Sequence, residues 1–141
     1  MPTPLLSLTD EIPPDLQSRV IDGLNAFNDQ AAGFADRRPL AVVASDPDTN
    51  GILGGAIGRS SLGLLFLDLL YLPESCRGTG IGSEILGRFE AEGRRRGCRT
   101  ALLYTLSFQA PAFYERHGWR RFGEFPCLPE GASRIFLSKQ L

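Results

Sequence analysis

Between Leu62 and Leu72 the chain is apolar apart from Gly63 and Asp68, and a few residues later it turns through Arg77-Gly78-Thr79-Gly80-Ile81-Gly82-Ser83. A segment with helical periodicity follows, reaching about Arg96. An apolar strand, a glycine-dense turn and a helix in that order demand a sheet with a helix returning across it. The same order also creates an anion site. Glycines let the backbone approach a ligand closely, and the first amides of a helix have no intrahelical acceptor. Those free donors and the positive end of the helix dipole favour a phosphate. An ordinary strand-to-helix turn carries the same glycines, so neighbouring positions must decide.

Two familiar phosphate loops fit badly. A P-loop requires Gly-Lys-Ser/Thr after its spacer, and no Lys is present in this stretch. A dinucleotide-binding turn requires Gly-x-Gly-x-x-Gly and an acidic residue about 20 positions later at the end of a second strand. Here the glycines are 78, 80 and 82, and the next strand candidate ends near Thr105 without an acid beside it.

The string Tyr71-Leu72-Pro73-Glu74-Ser75-Cys76-Arg77-Gly78-Thr79-Gly80-Ile81-Gly82, with its Arg-x-x-Gly-x-Gly core, resembles the acetyl-CoA motif of the GNAT superfamily of N-acetyltransferases. A second block, Ala110-Pro111-Ala112-Phe113-Tyr114-Glu115-Arg116-His117-Gly118-Trp119, is similar to that family's C-terminal motif. The resemblance runs from about Leu62 to Phe125, and the first 60 or so residues lie where the family varies with substrate. It implies an acetyl-CoA-dependent N-acetyltransferase whose acceptor is the amine of a small molecule or peptide. Two other readings share these features: a coenzyme A-binding sensor or partner protein without catalysis, and an acyltransferase taking a longer acyl-CoA.

Composition agrees with one globular domain spanning 1–141, at 43% hydrophobic and 22% charged residues. No run approaches the ~18 apolar residues of a membrane span. The start Met1-Pro2-Thr3-Pro4 has no basic region ahead of an apolar core, so a cytoplasmic protein without a secretory signal is expected. The three cysteines (76, 98, 127) are widely spaced, with one His in the chain, which points to inert thiols and no metal. Net charge is −1, unevenly spread. Residues 1–73 carry four basic and nine acidic side chains, whereas residues 74–121 carry nine Arg and five Glu. A basic segment at the turn suits an anionic cofactor and an acidic first half suits a cationic acceptor. Without a basic stripe or interleaved aromatics, nothing points to nucleic acid. A monomer or a homodimer is expected.

The pattern along the chain predicts an α+β fold, a mixed, mostly antiparallel sheet of six to seven strands flanked by three to four helices. A short strand is expected near Leu5–Leu8, then a helix begun by Pro13-Pro14-Asp15 with Leu16, Val20, Leu24 and Phe27 on one face. Strands follow at Leu40–Ser45, Ile52–Arg59 and Leu62–Leu72, the last two joined by a turn at Ser60-Ser61. After the glycine turn come a helix closed by Gly97, a strand at Arg99–Thr105 and a short helix at Pro111–His117. Trp119–Phe125 and Ser133–Leu137 end the chain as an antiparallel pair.

The chemistry is assigned through the resemblance. Gly78, Thr79, Gly80, Ile81, Gly82 and Ser83 hold the pyrophosphate through backbone amides, with the Arg77 guanidinium reaching a phosphate. Leu70 and Leu72 lie where the family's strand splays from its neighbour and holds the pantetheine arm and thioester through its backbone. Tyr114 matches the family's general acid; a phenol with an ordinary pKa of about 10 stays protonated at neutral pH and can donate to a developing thiolate. Asp68, in the middle of the longest apolar strand, is expected to be either the base or a structural group in a salt bridge or capping a backbone group, because burying a carboxylate there is costly unless it is paired or used. Ser107 stands where many members have a cofactor-contacting Asn. His117 is read as structural. Phe27 and Asn28 are expected to line the acceptor cleft.

Overall fold

The computed structural model describes residues 2–141 and falls into two compact units, residues 1–35 and residues 36–141. The first holds α1 (Pro14–Ala32), which opens on Pro13 and Pro14 and closes where Gly33, in the left-handed region at φ 87°, donates its N–H to Asp29 O. Its apolar stripe forms as expected, yet no residue of the helix is buried. Leu5–Leu8 belongs to no regular element. A strand exists only through the neighbour it bonds, and this segment has none among the described residues.

The second unit is a six-stranded sheet in the order β1-β2-β3-β4-β6-β5. Its strands are β1 (Arg38–Ser45), β2 (Ile52–Ser61), β3 (Leu64–Tyr71), β4 (Thr100–Leu106), β5 (Arg120–Pro126) and β6 (Ser133–Gln140). Helix α2 (Ile81–Arg95) links β3 to β4, and α3 (Pro111–Arg116) links β4 to β5. Every strand pair is antiparallel except β3 with β4, as a helical crossover requires. Three α-helices and six strands make the expected α+β architecture.

One face of the sheet carries the core. Ile85, Leu86 and Phe89 of α2 are buried with Ala56, Leu65, Leu67, Ala101, Leu103, Ile135 and Leu137. The helix lies close because two positions lack side chains: a Cβ at Gly58 would stand 2.7 Å from Phe89 Cζ, and one at Gly93 would stand 2.6 Å from Leu65 Cδ2. The β2–β3 turn is at Leu62-Gly63, two residues later than Ser60-Ser61. Both strands run to the turn, and both turn residues take positive φ (50° and 83°), the pattern of a two-residue hairpin loop matched to strand twist. An apolar Leu at a positive-φ position hid the turn from sequence reasoning.

A bulge in β3 changes which side chains face the core. Leu67 pairs with Gly58 and Leu69 with Ile57, so Asp68 is the extra residue with no partner across β2. The inward positions are therefore 65 and 67 before the bulge and 70 and 72 after it, with Leu72 buried and Leu70 half-buried.

Candidate active site

The ends of β3, the start of α2 and the helix α3 meet at Gly82. A Cβ there would be 3.5 Å from the Phe113 ring and 3.8 Å from Leu72 Cδ1, ordinary van der Waals contact with both neighbours. Beside this point the sheet opens. β3 and β4 pair only through Leu64, Leu65 and Phe66 against Thr100, Ala101 and Leu102. Beyond Phe66, β3 follows β2 as far as Tyr71 while β4 follows β6 as far as Leu106. The β3 backbone from the bulge onward has lost its neighbour on that side, leaving a wedge between two strands that are each held on the other flank.

The turn into α2 is built by its own hydrogen bonds. Arg77 Nε donates to Leu72 O at 3.0 Å and Thr79 Oγ1 donates to Cys76 O at 2.7 Å, fastening both ends of a single 3-10 turn at Glu74–Cys76. The Arg77 guanidinium also lies 6.0 Å from the Tyr71 ring centroid, so its Nε fixes the loop, a role that phosphate contact alone would not give it. Gly78 and Gly80 take φ of 72° and 87°, which only glycine adopts without strain, and a Cβ at either would meet nothing within 4 Å. The first helical bond runs from Glu84 N–H to Gly80 O at 3.1 Å. Helix α2 opens at Ile81 with no side-chain cap, so the amides of Ile81, Gly82 and Ser83 in its first turn have no intrahelical acceptor. The first-turn amides, the helix dipole and the wedge beside them form a cradle of the kind that favours an anion.

Tyr114 sits on α3 with 9% of its surface exposed, its ring edge-on to Phe113 (5.2 Å) and Trp119 (6.1 Å). Its hydroxyl makes no hydrogen bond among the described residues. Since no buried side-chain polar atom among the described residues lacks a partner, that hydroxyl must reach accessible surface. Burial of the ring pushes the phenol pKa above its ordinary value, so it is held as a neutral donor.

Asp68 departs from its expected setting. It is not buried in the strand: the bulge turns it to the face away from α2, with 43% of its side chain exposed. There Arg59 Nη1 lies 2.7 and 2.9 Å from its two oxygens and its guanidinium covers the Phe66 ring at 4.4 Å. Ser107 Oγ accepts from Ser133 N–H at 2.9 Å, and Ser107 N–H donates to Ser133 O, so this residue pins the start of β6. Phe27 and Asn28 are both exposed and lie on α1, in the N-terminal unit. Cys98 is buried, which pushes its thiol pKa up and keeps it unreactive.

His117, read from the sequence as structural, ties two helices together, and one buried group, Glu90, was missed by sequence reasoning. His117 Nε2 is 2.8 Å from Ser83 Oγ and its ring packs 4.8 Å from Phe113, tying the end of α3 to the first turn of α2. Glu90, 4% exposed, receives Trp119 Nε1–H at 3.1 Å and Lys139 Nζ at 2.6 Å, and the same Nζ donates to His117 O at 2.6 Å. The signal for Glu90 was available, because residues 86, 89, 90 and 93 form one helical stripe and a carboxylate within it needs partners.

Residues 36–121 match the family model described as an acetyltransferase (GNAT) domain. Acetyltransferase Atu2258 of Agrobacterium fabrum is 34% identical over 133 residues, covering 94% of this chain and 96% of its own. The blasticidin-S acetyltransferase of Streptomyces morookaense is 36% identical over 109 residues, 75% of this chain and 80% of its own. A crystal structure assigned to an Agrobacterium tumefaciens acetyltransferase superposes with a TM-score of 0.89 at 33% identity, over 97% of this chain and 99% of that one.

Proposed function

This chain belongs to the GNAT family of acetyltransferases, and on that premise we propose that it moves the acetyl group of acetyl-CoA directly to the amine of a small molecule or peptide. The observation that carries the reading is the wedge between β3 and β4, with the uncapped first turn of α2 at one end and the unpartnered Tyr114 hydroxyl as a donor on α3. Acetyl-CoA supplies an activated thioester, whose carbonyl carbon the neutral amine attacks and whose sulfur departs. Gly78, Thr79, Gly80, Ile81, Gly82 and Ser83 bind the pyrophosphate through backbone N–H groups. The backbone of Leu70 on the open side of β3, and that of Leu72 apart from the carbonyl held by Arg77 Nε, orients the pantetheine arm, and Tyr114 delivers its hydroxyl proton to the leaving sulfur. Among the described residues no helix is long and apolar enough to cross a membrane, and no group of three or more His, Cys, Asp or Glu is placed to hold a metal.

The cradle is tested by binding. Coenzyme A at one hundred times its dissociation constant stabilises a protein by about 2.7 kcal/mol through mass action. Gly80→Val forces a β-branched residue to φ 87° in open space, so the loop shifts without disturbing the core. The variant is expected to fold and to lose most of the coenzyme-induced rise in melting temperature. Equal stabilisation of both proteins overturns the assignment of the loop.

Asp68 faces solvent beside the wedge, and we assign it to the acceptor: it draws in the alkylammonium and, directly or through water, takes its proton once the Arg59 pair opens. Deprotonating such an amine at pH 7 costs roughly 4 to 5 kcal/mol without help. Asp68→Asn is therefore expected to slow transfer most near neutral pH, with the defect shrinking as pH nears the amine's own pKa. Because the pair is exposed, the substitution costs about 1 kcal/mol of stability or less, and unfolding does not obscure the result. A rate lowered by one factor at every pH makes Asp68 a structural residue.

A further inference from the structure

The end of α3 is held from three sides at His117, the residue that closes it. Its carbonyl accepts from Lys139 Nζ at 2.6 Å, and the same Nζ lies 2.6 Å from Oε1 of Glu90, which is buried. The imidazole packs against the Phe113 ring, with centroids 4.8 Å apart, and Phe113 itself lies against Gly82. With backbone and ring both fixed, Nε2 stands 2.8 Å from Ser83 Oγ. Ser83 is exposed and belongs to the uncapped first turn of α2, whose amides have no intrahelical acceptor. The one histidine of the chain is thus aimed at the one side-chain hydroxyl of that turn.

A serine hydroxyl has one proton and two lone pairs, and a neutral imidazole nitrogen either donates or accepts. Two arrangements therefore fit the contact: the hydroxyl donates to a bare Nε2, or Nε2–H donates to the hydroxyl oxygen. Only the second leaves the serine proton free. An anion at the first turn selects it, because Ser83 can donate to that anion only while His117 donates to Ser83, and donors chained in one direction polarise one another. On the reading of this turn as the coenzyme A cradle, we infer that His117 is a positioning residue for the cofactor. As the Nε2–H donor to Ser83 Oγ it turns the serine proton towards the pyrophosphate and adds a hydroxyl to the backbone amides that hold it. The same short segment carries Tyr114, so the chain that orders the phosphate contact also carries the acid of the transfer.

Calorimetric titration of the full chain with coenzyme A is the test. His117→Phe keeps a ring against Phe113 and the carbonyl on Lys139, and should weaken coenzyme A about tenfold, the worth of one hydrogen bond to a charged group. His117→Gln sets an amide N–H near the place of Nε2 and should bind within about threefold of wild type. Ser83→Ala should match His117→Phe, and the variant with both substitutions should bind no worse than Ser83→Ala alone, since one removes what the other orients. A single histidine also gives a single imidazole C2-proton line by NMR. Inorganic pyrophosphate should move that line in the wild type and much less in Ser83→Ala, a response that a residue merely bracing α3 would not give. If His117→Phe does not fold, the Gln and Ala variants and the pyrophosphate shift decide. Full affinity in His117→Phe, equal weakening in His117→Phe and His117→Gln, or a line that pyrophosphate moves equally with and without the serine hydroxyl overturns the role of His117 while the cradle stands. A wild-type chain that binds no coenzyme A overturns both.

Discussion

Tyr114→Phe is expected to lower turnover by about 10- to 1000-fold, the usual contribution of a positioned acid, while coenzyme A affinity stays within about twofold. The substitution removes one oxygen and nothing else. The ring keeps its edge-on contacts with Phe113 and Trp119, and the hydroxyl has no protein partner to strand, so stability should hold. Burial raises the phenol pKa, which sets the sign of the pH dependence. The proton is present at every pH below that raised value, so Tyr114 produces no loss of rate between neutral pH and about 10. Any acid limb in the profile belongs to the amine and its base, and should appear unchanged in the variant. Turnover equal to wild type would reduce Tyr114 to a packing residue and leave water to protonate the sulfur.

The parts of the fold that a reader of the sequence can find are those whose signal is local. The β3–turn–α2 unit shows itself because an apolar strand, three glycines and a helical stripe occur in succession, and α3 because Pro111 opens it and Gly118 closes it. What could not be read depends on partners distant in sequence. In Leu64–Tyr71 almost every residue is apolar, so no alternation marks the faces and the bulge at Asp68 leaves no trace; only its pairing with β2 reveals it. The expectation of a buried Asp68 failed for that reason. The splay is equally invisible, since it consists of pairs between β3 and β4 that stop after Phe66. Ser107 and Arg77 show a third limit: both are at the expected positions, yet what each side chain bonds is set by Ser133 and by the Leu72 carbonyl.

Lys139→Met should destabilise the chain by about 3 kcal/mol, the low end for breaking a buried ion pair, because a fifth of the Lys139 side chain remains exposed. In a chain of this size that is a fall in melting temperature of roughly 10 °C. The loss has two sources. Glu90, nearly sealed from water, keeps only the Trp119 N–H at 3.1 Å and a distant Arg94 at 3.6 Å. The carbonyl of His117 at the end of α3 also loses its donor. Methionine preserves the length and the apolar stem, so the deficit reports the charge and its hydrogen bonds. Adding Glu90→Gln to Lys139→Met should recover part of the loss, since an amide stranded in that position is less costly than a carboxylate. The same helix carries Tyr114, and His117 ties it to Ser83 at the turn, so Lys139→Met should also slow turnover with the hydroxyl still in place. Urea unfolding and turnover measured on the two single variants and the double variant check both halves. A Lys139→Met protein within about 0.5 kcal/mol of wild type would mean that Glu90 and Trp119 hold the junction alone, and that the lysine is a surface cation near a carboxylate that does not need it.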